Sequence, residues 1–169
     1  MKLIGIYLKN KGTSQSYRNY MMWNFGVRTG LRISDILNLR VCDVKDKDKI
    51  EIRESKTSKI SYVTLHPKLR KELKEYIEDM KDYNFLFPSR QKKKKYYEGK
   101  EILLEQPISR IQAYNIIKEA CNKFGITRVG THTMRKTFGY FLFMKDKNIV
   151  EVKNILNHSD ISTTERYIG

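Results

Sequence analysis

Cysteine is scarce in this sequence. Cys42 and Cys121 are its two thiols, far apart and without metal-ligand spacing, which excludes a disulfide framework and predicts two buried, reduced side chains. No apolar run approaches the roughly 18 residues that a membrane-spanning helix needs. The start, MKLIGIYLKNKGTSQSYRN, has charge and a brief apolar patch but no small-residue cleavage site, so it does not read as a secretory signal. No internal repeat and no linker long enough to divide the chain is present. The expectation is a cytoplasmic protein of one domain with no membrane contact. Acidic residues are also in short supply: 19 Asp and Glu stand against 34 Lys and Arg, a net charge of +15.

What is there fits a globular enzyme or binding domain. A chain of 169 residues is long enough to bury about 70% of its unfolded surface. With 40% hydrophobic and 11% aromatic residues, its core needs no staple. An excess of positive charge this large implies a polyanionic partner, and nucleic acid fits better than lipid because no lysine-rich amphipathic helix or lipidation signal stands out.

The patterning predicts an α+β fold, mainly α-helical with one small antiparallel hairpin. Tyr17, Tyr20, Met21, Trp23 and Phe25 recur at near-helical spacing, giving a buried helix that ends between Gly26 and Gly30. A second helix, RISDILNLRV, turns Ile33, Ile36, Leu37 and Val41 inward and puts Arg32 and Asp35 within reach of each other. KIEIRESKTSKISYVTL alternates apolar and polar positions on both sides of a Ser/Thr/Lys cluster, a hairpin signature with Lys56 and Lys59 at the turn. PKLRKELKEYIEDM repeats Leu69, Leu73, Tyr76, Ile77 and Met80 on one helical face. QKKKKYYEGK reads as a mobile loop whose Lys92, Lys93, Lys94 and Lys95 are candidate DNA contacts, with Lys59. ISRIQAYNIIKEACNKFG is an amphipathic helix closed by Gly125, and a last helical region runs from THTMRKTFGYFLFMK through IVEVKNILNH. At the end, Ser162 and Glu165 fit a Ser-x-x-Glu capping box, which places Tyr167 near the start of a final short helix.

Six polar residues, Arg32, Lys56, His132, Arg135, His158 and Tyr167, have no evident structural role. Two arginines can clamp the nonbridging oxygens of a phosphodiester and stabilise the charge of a pentavalent transition state without a metal. A tyrosine hydroxyl can attack phosphorus if a neighbouring base takes its proton, a part open to His132 or another group. A lysine can protonate the leaving oxygen.

The same stretches resemble the tyrosine recombinases, or phage-type integrases. TGLRISDILNLR at 29–40 is similar to the family's first arginine box, THTMRKTF at 131–138 to its His-x-x-Arg box, and NHSDISTTERYI at 157–168 to its second histidine and nucleophilic tyrosine. Lys56, in SKTSK, falls where the family carries a catalytic lysine on a β-hairpin. The resemblance implies the recombinase catalytic-domain fold over residues 1–169, without an N-terminal core-binding domain. It implies that Arg32 and Arg135 bind the scissile phosphate and that Tyr167 forms a 3′-phosphotyrosine link. Lys56 would protonate the 5′-oxygen, His132 would assist proton transfer, His158 would hydrogen-bond the phosphoryl oxygens, and Asp35 would brace the site. The partners implied are double-stranded DNA and further copies of the chain, two to four on DNA, with no cofactor, in integration or excision of a mobile element. A type IB topoisomerase-like nicking and closing enzyme and a noncatalytic DNA-binding module are the alternatives. Asn157 departs from the glycine most common at that place, as do Met134 and Lys136 from the residues common inside the His-x-x-Arg box. His66 and Cys121 match no family site.

Overall fold

The computed structural model describes residues 1–55 and 58–168. Helix α1 (Lys2–Lys9) leads to α2 (Ser16–Thr29), around which the fold is organised. The predicted Met and aromatic stripe is the reason: Met21, Met22, Trp23 and Phe25 are buried. Each such side chain removed from water contributes roughly 1.5–3 kcal/mol. Phe25 meets Phe87 edge to face, with ring centroids 6.1 Å apart. Helix α2 ends at Gly30, whose left-handed φ of +66° is open to glycine at no steric cost.

The predicted second helix is two. Helix α3 (Ile33–Asn38) and α4 (Val41–Val44) are separated by extended residues at 39 and 40. There Leu86 N–H donates to the Leu39 carbonyl at 2.8 Å and Arg40 bridges to Phe85. Pairing with a distant segment thus overrides the local helical pattern. Arg32 is the extended residue before α3, and it pairs with Glu54 rather than with Asp35 as the three-residue spacing suggested.

Strands β1 (Lys49–Arg53) and β2 (Ile60–Thr64) form the expected antiparallel hairpin, with Glu51 opposite Tyr62. Ile50 and Ile52 face the core. In α5 (Pro67–Tyr76), Pro67 opens the first turn and His66 caps it, its Nδ1 accepting from Lys68 N–H at 3.2 Å. The helix stops before Met80, though Leu69, Leu73 and Ile77 are buried as the periodicity predicted.

The lysine-rich segment is not a loop. It pairs as β3 (Lys93–Tyr97) and β4 (Lys100–Leu104), joined by Glu98 and Gly99, both at positive φ. Two such residues make the tight turn whose twist matches that of paired strands. Helix α6 (Arg110–Asn122) starts in a reciprocal capping box between Ser109 and Gln112, and Gly125 follows it at φ +73°. The final helical region divides into α7 (Thr133–Asp146), α8 (Ile149–Ile155) and α9 (Ile161–Ile168). Lys147 in a left-handed conformation ends α7, and the Asn148 side chain caps α8.

Helix α2 packs against α1, α5 and α7, and α7 in turn holds α8 and α9. A Cβ on Gly26 would run into the side chain of Met134, so the α2–α7 approach depends on that glycine. Cys121 is buried, whereas Cys42 is exposed, contrary to expectation; both are free thiols. Among the described residues, no helix is long and apolar enough to cross a membrane.

Candidate active site

The site gathers where the C-terminal end of α2, the N-terminal end of α7 and the α8–α9 segment meet. Arg135, in the first turn of α7, is 5% exposed. Its Nη1 donates to the Gly30 carbonyl at 2.8 Å and its Nη2 to the Leu156 carbonyl. One guanidinium therefore ties the end of α2 to the end of α8. Its Nε is buried and has no partner among the described residues. Such orphan donors are rare because desolvation without a hydrogen bond is costly. Burial pulls the Arg135 pKa down, Arg32 adds to this by repulsion, and Tyr167 and Glu54 oppose it.

Arg32 enters from the other side. Its Nη1 lies 2.6 Å from Glu54 Oε2, an ion pair with 15% and 5% side-chain exposure. The motifs do not single out Glu54, yet it is a centre of the network. Its Oε1 accepts from Ser61 Oγ at 3.0 Å and from Asn157 Nδ2 at 3.1 Å. A signal exists in the sequence: in KIEIRE, Glu54 is in phase with the buried Ile50 and Ile52, so a carboxylate occupies an inward-facing position. Asn157 has φ +51°, a conformation that asparagine tolerates better than most residues. This accounts for asparagine at a place where the family most often has glycine.

Asp35 is 4% exposed and holds the hairpin end. Its Oδ1 accepts from Ser55 N–H at 2.9 Å and Ser55 Oγ at 2.6 Å. Lys56 lies outside the described residues.

Tyr167 arrives on α9. Its hydroxyl is 3.0 Å from Nδ1 of His132, the residue that precedes α7. The ring meets His158 edge to face, centroids 4.7 Å apart, and Lys136 Nζ stands 5.5 Å from the ring centre. His158 Nδ1 is 3.0 Å from the hydroxyl of the fully buried Thr164. Burial first, then the charges of Arg135 and Arg32, lower the His158 pKa from 6.5 to about 4, so its ring is neutral at physiological pH. The capping expectation needs correction. Asp160, not Ser162, caps α9: its Oδ1 accepts from Thr163 N–H at 2.7 Å, and its pKa falls, first through the Ser162 hydroxyl and then through that backbone bond. Ser162 lies inside the helix, and Tyr167 is near its end.

The structure thus brings Arg32, His132, Arg135, His158 and Tyr167 together. Such an array can bind an oxyanion between two guanidinium groups with a hydroxyl and a neighbouring base facing it. Lys92, Lys93, Lys94 and Lys95 are exposed and belong to or adjoin the β3–β4 hairpin, outside this cluster; Lys59 is also exposed. Among the described residues, no three His, Cys, Asp or Glu side chains group as metal ligands would.

Comparison with known proteins gives the same answer as the boxes. The model of the phage integrase family matches residues 3–169. Over 163 residues the chain is 45% identical to the probable integrase/recombinase YoeC of Bacillus subtilis (strain 168), covering 96% of this chain and 81% of that protein. It is 30% identical over 170 residues to a probable integrase/recombinase of Acholeplasma phage L2, covering 99% of this chain and 55% of the other. The chain therefore spans most of the first relative and about half of the second. Among solved structures, the XerA recombinase superposes with a TM-score of 0.74 at 22% identity, covering all of this chain and 57% of that one. The catalytic domain of bacteriophage HP1 integrase does so with a TM-score of 0.66 at 22% identity, covering 98% of this chain and 81% of the other. Those two likenesses concern the fold; the sequence matches concern descent, and on them the chain belongs to the phage integrase family, the tyrosine recombinases.

Proposed function

We propose that the chain cleaves and rejoins double-stranded DNA through a 3′-phosphotyrosine intermediate. Tyr167 Oη attacks the scissile phosphorus, the bond from phosphorus to the 5′-oxygen breaks, and the new bond joins the 3′-phosphate to the enzyme. His132, 3.0 Å from the hydroxyl, takes its proton. Arg32 and Arg135 hold the nonbridging oxygens, the first positioned by Glu54 and the second by the Gly30 and Leu156 carbonyls. His158 donates to a phosphoryl oxygen with its second ring nitrogen while Nδ1 is engaged by Thr164. Lys56 protonates the departing 5′-oxygen. Asp35 and Glu54 hold the hairpin and Arg32 in place. Attack by the 5′-hydroxyl of another strand then reverses the chemistry and reseals the DNA without an external energy source.

The observation that carries this reading is the Tyr167 hydroxyl on His132 beside two arginines whose other contacts fix them. In this reading residues 1–169 are the catalytic domain, and two to four copies act together on DNA in the cytoplasm. Relatives named as integrases and recombinases, one of them from a phage, support integration or excision of a mobile element over simple nicking and closing. Neighbours in fold include XerH bound to its difH substrate and the Tn1549 transposon integrase in complex with circular intermediate DNA.

The test is covalent capture. Incubation with nicked duplexes that trap the intermediate, without metal or ATP, should yield a denaturation-resistant adduct with the natural protein. Tyr167→Phe should bind DNA and give none. An adduct with the Phe variant would remove Tyr167 as nucleophile.

A further inference from the structure

The β3–β4 hairpin is folded but unsupported. All five residues of each strand are exposed, and Tyr96, Tyr97 and Leu103 are 68%, 63% and 55% accessible. A two-stranded ribbon alone in water is marginal, so its aromatic and apolar side chains gain little within the chain. Its charge is one-sided: residues 90–100 hold six basic residues and one acidic.

The register sorts these charges by face. Lys93 pairs with Leu104, Lys95 with Ile102 and Tyr97 with Lys100, so one face carries Lys93, Lys95, Tyr97 and Lys100 together with Ile102 and Leu104. Among the described residues, no carboxylate forms an ion pair with those three lysines. The opposite face is neutralised, because Lys94 lies 3.0 Å from Glu101. At the root of the ribbon, Arg90 and Gln91 join Arg18, Asn19 and Asn115 around a cleft of about 350 Å³, whose Lys11 is already paired with Glu119. Arg18 there is fixed by the Pro88 carbonyl at 2.7 Å. Burial pulls its pKa down, and Arg90 adds repulsion.

We propose that the Lys93, Lys95 and Lys100 face of the ribbon, continued by the cleft at its root, is a second DNA-binding surface that grips backbone phosphates of the duplex beside the cleavage site. The proposal rests on the DNA reading above and extends it to a surface outside the active site. A two-stranded ribbon fits the major groove. Lysines two residues apart on a strand present their charges on one face, with Tyr97 opposite Lys100 at the tip of the ribbon to pack on sugar or base. A second copy of the chain is a poor occupant for this face, since each copy carries +15 and the face has no acid to meet the like charge.

The test is the salt dependence of binding to a random duplex of about 40 base pairs, which reads phosphate contacts without needing the target sequence. Three lost contacts lower the slope of log affinity against log salt by about 2.7, so the affinity lost between 50 and 200 mM salt shrinks about 40-fold. The K93Q/K95Q/K100Q variant should show this, K94Q should not, and K93R/K95R/K100R should keep the natural slope. An unchanged slope in the glutamine variant overturns the proposal, as does an equal loss in the arginine variant, which would point to a shape effect. Loss of assembled protomers on DNA with the slope retained also overturns it, in favour of a protein contact. Adduct capture is scored separately: trapped Tyr167 with an unchanged slope sinks the ribbon alone, whereas a lowered slope without adduct sinks the chemistry alone.

Discussion

Arg32 and Glu54 form a nearly dry ion pair, Nη1 to Oε2 2.6 Å, and the same carboxylate reaches Asn157 on the far side of the site. One side chain thereby joins the first arginine box, the hairpin that bears the lysine position and the segment leading to His158 and Tyr167. The pair also leaves Arg32 neutralised before any phosphate arrives, held in one orientation with further donors of its fork to spare.

Glu54→Ala should therefore unsettle the free protein. Removing one partner of a buried pair leaves the other uncompensated, at a cost of about 3–5 kcal/mol. Glu54→Gln keeps an acceptor for Asn157 and Ser61 and should cost less. Adding a DNA duplex should restore more stability to the alanine variant than to the natural protein, because phosphate replaces the lost carboxylate. Urea unfolding with and without DNA checks both; equal stability of Glu54→Ala and the natural chain would show that the pair holds nothing.

Asn157 serves the backbone and the site at once, and different substitutions separate the two. Its φ of +51° disfavours most residues, and its amide donates to Glu54. Asn157→Gly removes the hydrogen bond but relieves the backbone, and the two effects, each about 1 kcal/mol, nearly cancel. Asn157→Ala loses the bond and adds strain, because alanine tolerates this φ less well than asparagine, for about 2 kcal/mol in all. Denaturant midpoints that rank alanine above glycine would contradict this balance.

Much of the fold and of the site is legible in the sequence because it is local or periodic. The α2 stripe, the β1–β2 alternation and the pattern inside each of the three boxes sit within a few turns or strand residues. What the sequence hides depends on distant partners. Leu39 and Arg40 leave the helix because residues 85 and 86 pair with them. Arg32 turns to Glu54 rather than to Asp35, a choice made by the hairpin. The ribbon is hidden for a different reason: a lysine run reads as solvated loop, although Glu98-Gly99 between KKKKYY and KEILL is a hairpin turn. Asp160 is masked as a cap because Ser162 and Glu165 fit the capping pattern two residues later.

Gly30 is where backbone geometry and the site are coupled. Its φ is +66°, its carbonyl receives Arg135 at 2.8 Å, and an added Cβ would collide with the Phe138 ring. Gly30→Ala should destabilise by about 1–3 kcal/mol and move the carbonyl that positions Arg135. Adduct formation should fall at least tenfold under conditions where the variant remains folded by circular dichroism. Full activity in a folded Gly30→Ala protein would show that Arg135 needs no such anchor.

His158 predicts a pH signature. Its pKa is about 4 in the folded chain against 6.5 for the ordinary group. The unfolded chain takes up the proton first as pH falls, so unfolding gains from acidification between these values. The His158 contribution is thus most favourable above about 6.5, is lost progressively toward 4, and changes no further below it. Many other groups titrate over the same range, so the useful quantity is the difference in Tm between the natural protein and His158→Gln, whose side chain stays neutral. That difference should move in favour of the variant as pH is lowered from 7 to 4. A pH-independent difference would mean that His158 titrates normally, and that burial and the neighbouring Arg135 and Arg32 do not hold its ring neutral.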